Sequence, residues 1–437
     1  MTEVGLIEIL LFGLFIGLML LGVPIGVALG AGGAIAIAIA NREAPLFGLM
    51  AVPQNMYAGI AKYPLLALPM FVLVGSIFDR SGVAQRMVTF ALACLGRSPG
   101  TLPVVAIRVA MVLGGISGSG PANAAAVGGV MIAAMARAGY PAPFSASVIG
   151  AAAATDILIP PSIAMIVYSV AVPGASVPAL FSAGMVPGIL AGLALMIPAW
   201  WLSRRRHYGA QAADEPRPEF WGSLREASWG LAAPVLILGG MRAGWFTPTE
   251  AAVVAVVYGL FVGMVVHRTI TWKDLRSIFI EAAEVSAIIM IVIGLAGIFA
   301  YSVSTLGMAD PIVKAIQASG MGSTATLIAL MLVLLVLGMV LDGVSIFLIF
   351  IPLLYPIMKV FNWDVVWFGV LLTMMIAIGQ FTPPIAVNLL VACKLAGVRI
   401  EQTVPHVLWL VLGFLIAVIL VGVFPELALW LPRSLGY

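Results

Sequence analysis

Long stretches of this sequence carry no Asp, Glu, Lys or Arg, among them residues 157–203, 315–341, 343–358, 365–393 and 402–425. Each is long enough, whole or as a broken pair, to cross ~30 Å of hydrocarbon at roughly 20 residues per helix. In a bilayer every backbone N–H and C=O must find its partner within the protein, which leaves helices as the spanning element for runs like these. Composition agrees, with 62% hydrophobic and 9% charged residues and a mean hydropathy of +1.16. A soluble protein of 437 residues could not cover its surface with so few charges. Glycine (47) and proline (28) are frequent, as suits membrane helices with built-in interruptions. The expected class is an all-α polytopic membrane protein.

Two of the apolar segments are broken by the same double proline. The first reads Thr155-Asp156-Ile157-Leu158-Ile159-Pro160-Pro161 and the second Ile378-Gly379-Gln380-Phe381-Thr382-Pro383-Pro384, 223 residues further on. Upstream of each lies a glycine-marked break, Gly115 and Gly120 in one half and Gly338 and Gly343 in the other. The same shift places Ser119 on Asp342, Asp79 on Ser302 and Ser81 on Ser304. Repeated, interrupted hydrophobic segments point to the midplane binding site of a secondary transporter. The repeats are expected at 1–203 and 228–437, joined by a polar, amphipathic connector at 204–227 that reads as an interfacial helix. Re-entrant hairpins are expected near 108–137 and 324–358, and broken helices near 144–172 and 365–395. A polar arm is expected at about 41–62.

The basic residues orient the chain. Arg204-Arg205-Arg206-His207 and the later group His267, Arg268, Lys273 and Arg276 are separated by a two-span excursion, so they share one side, which the positive-inside rule makes cytoplasmic. The first 41 residues hold no Lys or Arg, which places the N-terminus outside and gives it none of the basic start of a cleavable signal peptide. An external start and an internal Arg204 require an odd number of crossings in the first half, hence an inverted-topology repeat. A net charge of +3 gives no case for nucleic acid. Cys94 and Cys393 show no metal spacing and read as packing residues.

Pro160 and Pro161 lack N–H groups and leave the carbonyls of Asp156 and Ile157 without i−4 partners; Pro383 and Pro384 do the same to Gly379 and Gln380. An unpaired carbonyl in a membrane is costly unless something replaces the bond. A Na⁺ ion is one such replacement, with Thr155, Thr382 and Gln380 as further oxygen donors, the alternative being a proline kink satisfied by neighbouring side chains. The half-helix after each break begins with free N–H groups suited to a carboxylate, near Ser162 and Asn388. Ser117-Gly118-Ser119-Gly120-Pro121-Ala122-Asn123 and Leu341-Asp342-Gly343-Val344-Ser345 read as hairpin tips whose oxygens suit a hard cation. Close helix packing is the competing reading of their small residues. Ser302 and Ser304 read as an unwound segment facing the hairpins, whereas Asp79–Gly82 is equally an ordinary loop. Asp156 and Asp342 are functional candidates because charge inside a membrane is costly, and Arg108 attracts an anion, pairs with an acid or snorkels.

At these residues the sequence resembles the large membrane subunit of TRAP (tripartite ATP-independent periplasmic) transporters. The resemblance spans nearly the whole chain and is strongest at Ser117–Asn123, Ile159–Ile163, Phe246–Ala252, Trp367–Val370 and Thr382–Pro384. It implies an elevator-type, Na⁺-coupled importer in a bacterial inner membrane, with no cofactor besides the coupling ion. It also implies a small four-helix membrane subunit and a periplasmic binding protein that delivers an organic anion, usually a carboxylate. From the breaks, the tips and the resemblance together, sodium ligands are expected among Ser117, Gly118, Ser119, Thr155, Asp156, Ser302, Ser304, Gly338, Asp342, Gly343, Gln380 and Thr382. Substrate contacts are expected among Gly120, Asn123, Pro160, Pro161, Ser162, Ser345, Pro383, Pro384 and Asn388. One departure stands out: Asp156 occupies a position where a small or apolar residue is expected, which points to a subfamily-specific role. A stand-alone sodium/dicarboxylate symporter shares the repeats and hairpins but needs no binding protein. An enzyme is disfavoured because the sequence offers no HExxH, no Ser/His/Asp grouping and no nucleotide-binding loop.

Overall fold

The computed structural model describes residues 3–43, 48–95, 99–209 and 218–437. Its elements are helices, with no strand among the described residues. The first half runs α1 (Glu3–Leu20), α2 (Ile25–Ala40), α3 (Ala51–Ile60), α4 (Ala67–Arg80), α5 (Val83–Leu95), α6 (Thr101–Ser117), α7 (Gly120–Arg137), α8 (Ala142–Ala153), α9 (Ile163–Ala171) and α10 (Val177–Arg205). The second runs α11 (Phe220–Arg242), α12 (Pro248–Phe261), α13 (Trp272–Thr305), α14 (Ala309–Ala318), α15 (Ser323–Gly338), α16 (Gly343–Val360), α17 (Val365–Gly379), α18 (Val387–Ala396), α19 (Ile400–Val423) and α20 (Glu426–Ser434). Among the described residues six helical segments are long and apolar enough to cross a membrane, including Val177–Arg205, Trp272–Thr305 and Ile400–Val423.

The 223-residue shift holds helix by helix. The first residues of α2, α7, α8 and α10 map onto those of α12, α16, α17 and α19 without offset. α6 and α7 meet at Gly118 and Ser119, and α15 and α16 meet at residues 339–342, giving two helical hairpins. α6 and α15, of 17 and 16 residues, rise only ~24–26 Å, short of the ~30 Å hydrocarbon core. α8 and α9 flank the first double proline, and α17 and α18 flank the second.

The halves differ at one joint. α3, a short 3-10 turn at Tyr63–Leu66 and α4 correspond to the single 34-residue helix α13. Pro64 supplies the break, since it lacks an N–H and clashes with the preceding turn, and the matching position in α13 is Ala287. The expected arm is therefore α3, with residues 44–47 outside the described set. The expected connector differs too: residues 220–227 belong to the continuous helix α11, and 210–217 lie outside the described residues.

The halves interlock. α18 packs on α7 and α8 of the first half, while α9 packs on α16 of the second. Tyr168 of α9 is fully buried and its hydroxyl donates to the Val365 carbonyl at 2.7 Å, at the start of α17. Its ring lies edge-on to Phe347 of α16 at 5.5 Å, so one side chain joins the helix after the first break to both elements of the other half. α10 closes the group against α19 and α20, and α13 lies along α2, α3 and α4.

Candidate functional site

Each hairpin tip is seated on the double-proline break of its own half, and glycine makes the approach possible. A Cβ on Gly114 would lie 2.7 Å from Asp156 Oδ1 and 2.9 Å from its Cα; one on Gly118 would lie 2.6 Å from the Pro161 carbonyl oxygen. Gly118 also has φ +63°, a left-handed conformation that ends α6 and that a side chain would strain. In the second half, Gly343 packs on Ile376, and the backbones of Gly338 and Gly379 touch, a Cβ on Gly338 lying 3.3 Å from the Gly379 Cα. The Ala386 N–H donates to the Met339 carbonyl at 3.3 Å, tying break to tip, and Ala386 has φ 50°. Both Pro–Pro peptides, Pro160-Pro161 and Pro383-Pro384, are cis.

The first joint is built around the buried carboxyl group of Asp156. Asp156 is 0% exposed, and the Ser117 hydroxyl donates to its Oδ2 at 3.2 Å. The Ser119 backbone N–H and the Asn123 side chain also interact with it. None of the ion pairs between described residues involves Asp156. Asn123, 1% exposed, spans the two arms of the hairpin by donating from Nδ2 to the Ala110 carbonyl at 2.9 Å, while its Oδ1 has no partner. A cavity of about 10 Å³ lies between Ser117, Asn123 and Asp79 of α4, the room of a single water or small ion. The Ser119 side chain makes no capping bond to α7.

The second joint carries amides instead. Asn388, 0% exposed, donates from its backbone N–H to the Gln380 carbonyl at 3.0 Å and from Nδ2 to Gln380 Oε1 at 3.1 Å. Its Oδ1 is buried without a partner. A Cβ on Gly120 would lie 2.7 Å from that Oδ1, so the first hairpin's tip touches the second break across the halves. Two unpartnered, buried amide oxygens therefore lie on or against α7, each costly unless a donor or cation meets it. An oxygen-only donor set of this kind suits a hard cation.

Several expectations are corrected. The carbonyls freed by proline largely find partners inside the protein: Ser162 Oγ donates to Ile157 at 2.7 Å, the Thr382 N–H to Gly379 at 3.1 Å, and the Asn388 N–H to Gln380. An ion there would use second lone pairs rather than vacant carbonyls. Ser162 also accepts from the Met165 N–H, so α9 begins capped rather than with all its donors free. The Thr155 and Thr382 hydroxyls bond back to Ala152 and Ile378 at 2.8 and 2.6 Å. Asp342 is the N-cap of α16, accepting from the Val344 and Ser345 N–H groups at 3.1 and 3.2 Å and from the Ser345 hydroxyl; a cap accounts for its presence. Ser302 and Ser304 are not unwound, because α13 continues through Thr305. The Ser302 hydroxyl donates to Gly33 and Ile298, packing α13 on α2, and no hydrogen bond joins either serine to a hairpin tip among the described residues. Arg108 is exposed. Gly114 and Gly75, whose Cβ positions abut Asp156 and Ser117 respectively, escaped the sequence reading; glycines inside helical runs were the available signal.

The sequence profile of the tripartite ATP-independent periplasmic transporter DctM component matches residues 12–427. The chain is 36% identical over 410 residues to the C4-dicarboxylate TRAP transporter large permease protein DctM of Pseudomonas aeruginosa, covering 94% of each protein. It is 32% identical over 428 residues to the sialic acid TRAP transporter large permease protein SiaM of Vibrio cholerae, covering 98% and 99%. The isethionate TRAP transporter permease protein DctMQ of Oleidesulfovibrio alaskensis is 36% identical, and the chain spans 64% of its length. Among solved structures, the YdaH transporter of Alcanivorax borkumensis superimposes with a TM-score of 0.58 over 88% of this chain and 90% of its own, at 14% identity, a likeness of fold alone. On the profile match and the full-length relatives together, the chain belongs to the DctM family of membrane components of tripartite ATP-independent periplasmic transporters.

Proposed function

We propose that this protein is the Na⁺-coupled membrane component of an organic-anion importer in a bacterial inner membrane, its N-terminus outside and its two halves inserted with opposite topology. The observation that carries this reading is the matched pair of joints, each a glycine-lined hairpin tip on a double-proline break. One holds a buried carboxyl group without a cationic partner among the described residues, and both adjoin an unpartnered Asn oxygen. A monovalent cation at Asp156, Ser117 and Asn123 supplies the missing charge and the missing partner together. A second ion at Asn388, Gln380 and Thr382 does so for the other half, and the substrate anion sits between the tips, near Gly120. Because binding sites of this kind lie between repeats, alternating access follows as movement of the interlocked hairpin body, an elevator step, past the α2, α3 and α13 group.

The relatives named for C4-dicarboxylate, sialic acid and isethionate transport support a carboxylate or sulfonate cargo. The same family membership supports a small membrane subunit and a periplasmic binding protein as partners. The test is uptake into proteoliposomes containing this chain, the small subunit and the loaded binding protein, screened with labelled C4-dicarboxylates and sugar acids. Uptake should follow an inward Na⁺ gradient and stop when K⁺ or choline replaces Na⁺. Undiminished uptake driven by a proton gradient without Na⁺ overturns the sodium assignment, and robust uptake of free substrate by this chain alone points to a stand-alone symporter.

A further inference from the structure

Away from the joints, α10, α11 and α20 enclose a groove of about 250 Å³, walled by Phe181, Met185, Leu238, Met241, Leu431 and Leu435. Arg242, in the last turn of α11, also lines it. The guanidinium is exposed, and the ion pairs between described residues, Arg80–Glu281, Arg86–Glu226 and Arg433–Glu426, leave it out. Trp245, just beyond α11, is 73% exposed, and Trp430 of α20 is 61% exposed. Tyr437 lines the groove and is half-exposed. Exposed Trp and Tyr at the ends of membrane helices mark the headgroup level of a bilayer. The groove thus lies beside exposed aromatic residues of the interface type, and its lining is mostly apolar with one cation, Arg242.

We propose that this groove is a phospholipid site, with an acyl chain lying along the apolar wall and the phosphate on Arg242. Charge selects this occupant: an unpaired guanidinium matches a phosphate in two-pronged geometry, and a mostly apolar groove beside interface-type aromatic residues matches the chain. Gly239 gives the test its handle. It lines the groove, and a Cβ added there meets nothing within 4 Å, so a larger side chain enters the groove without disturbing the helices around it.

The experiment is native mass spectrometry of the detergent-purified chain offered phosphatidylglycerol or phosphatidylcholine, with Arg242→Gln and Gly239→Leu alongside. The unaltered chain should retain a phospholipid with preference for phosphatidylglycerol. Arg242→Gln should lower that preference about fivefold, the loss of one interfacial cation. Gly239→Leu should lose both lipids while unfolding at the same temperature as the unaltered chain. Equal retention by the unaltered and Gly239→Leu chains overturns the proposal, as does no retention at all. Crosslinking from Gly239→Cys to the small membrane subunit also overturns it, by giving the groove to a protein.

Discussion

Gly379→Ala is the substitution that bears hardest on the joint between hairpin and break. A Cβ there would lie 2.5 Å from the Gly338 Cα and closer still to the Gly338 carbonyl group. Both neighbours are backbone, so neither side chain rotation nor local adjustment clears them, and the hairpin must retreat from the break by roughly 1 Å to restore ordinary contact. Overpacking of this kind costs about 1–3 kcal/mol, of which replacing a helix glycine by alanine recovers at most ~1 kcal/mol. A net loss of about 1–2 kcal/mol is expected, or roughly a tenfold weakening of apparent Na⁺ affinity if the ion holds tip and break together. Gly338→Ala provides the contrast. Its Cβ would lie 3.3 Å from the Gly379 Cα and 3.5 Å from the Ile376 Cα, so only a few tenths of an ångström must be found. Uptake against Na⁺ concentration, with thermal unfolding in detergent, should rank unaltered, Gly338→Ala and Gly379→Ala in that order. An unchanged Na⁺ curve and unfolding midpoint for Gly379→Ala refute the close contact and the geometry built on it.

Thr382→Val leaves the Ile378 carbonyl with its bond from the Phe381 N–H, so the fold should lose ~1 kcal/mol or less, while apparent Na⁺ affinity falls roughly tenfold or more through the lost oxygen; a flat Na⁺ curve removes Thr382 from the site. Ser162→Ala strips a buried donor from the Ile157 carbonyl and an acceptor from the Met165 N–H, so a stability loss of about 1–3 kcal/mol is expected in thermal unfolding, and Ser162→Thr should restore most of it. Asp156→Gly installs the residue that the second half carries at the matching position, Gly379; the chain should fold and reach the membrane but require more Na⁺ for half-maximal uptake. An unaltered requirement assigns Asp156 to structure alone.

The paired architecture was legible in the sequence because it is written in local chemistry. Proline without N–H groups, glycine at the tips and charge-free runs fix where helices stop, and the 223-residue shift repeats those stops. Contacts between segments distant in sequence were not legible. No local pattern announces that Asn388 meets Gly120, or that Tyr168 bridges to Val365, since such pairings arise only when the halves interlock. Nor could spacing tell which carbonyls of the breaks stay open, because Ser162 turns back to one and the Asn388 N–H reaches another. Asp342 looked like a membrane-embedded charge and is a helix cap, a role whose sequence signature is the same short acidic side chain before a helix. Ser302 likewise satisfied its hydroxyl within the helix and against α2.

Sodium binding at the two joints can be tested without knowing the substrate. Purified chain, titrated with Na⁺ in choline buffer at constant ionic strength, should show a saturable rise in unfolding temperature, as a ligand that binds only the folded state requires. K⁺ should produce no comparable rise, and Asp156→Gly combined with Thr382→Val should flatten the Na⁺ response. An unfolding temperature indifferent to which cation is present, in the unaltered chain, would mean that the joints hold no sodium.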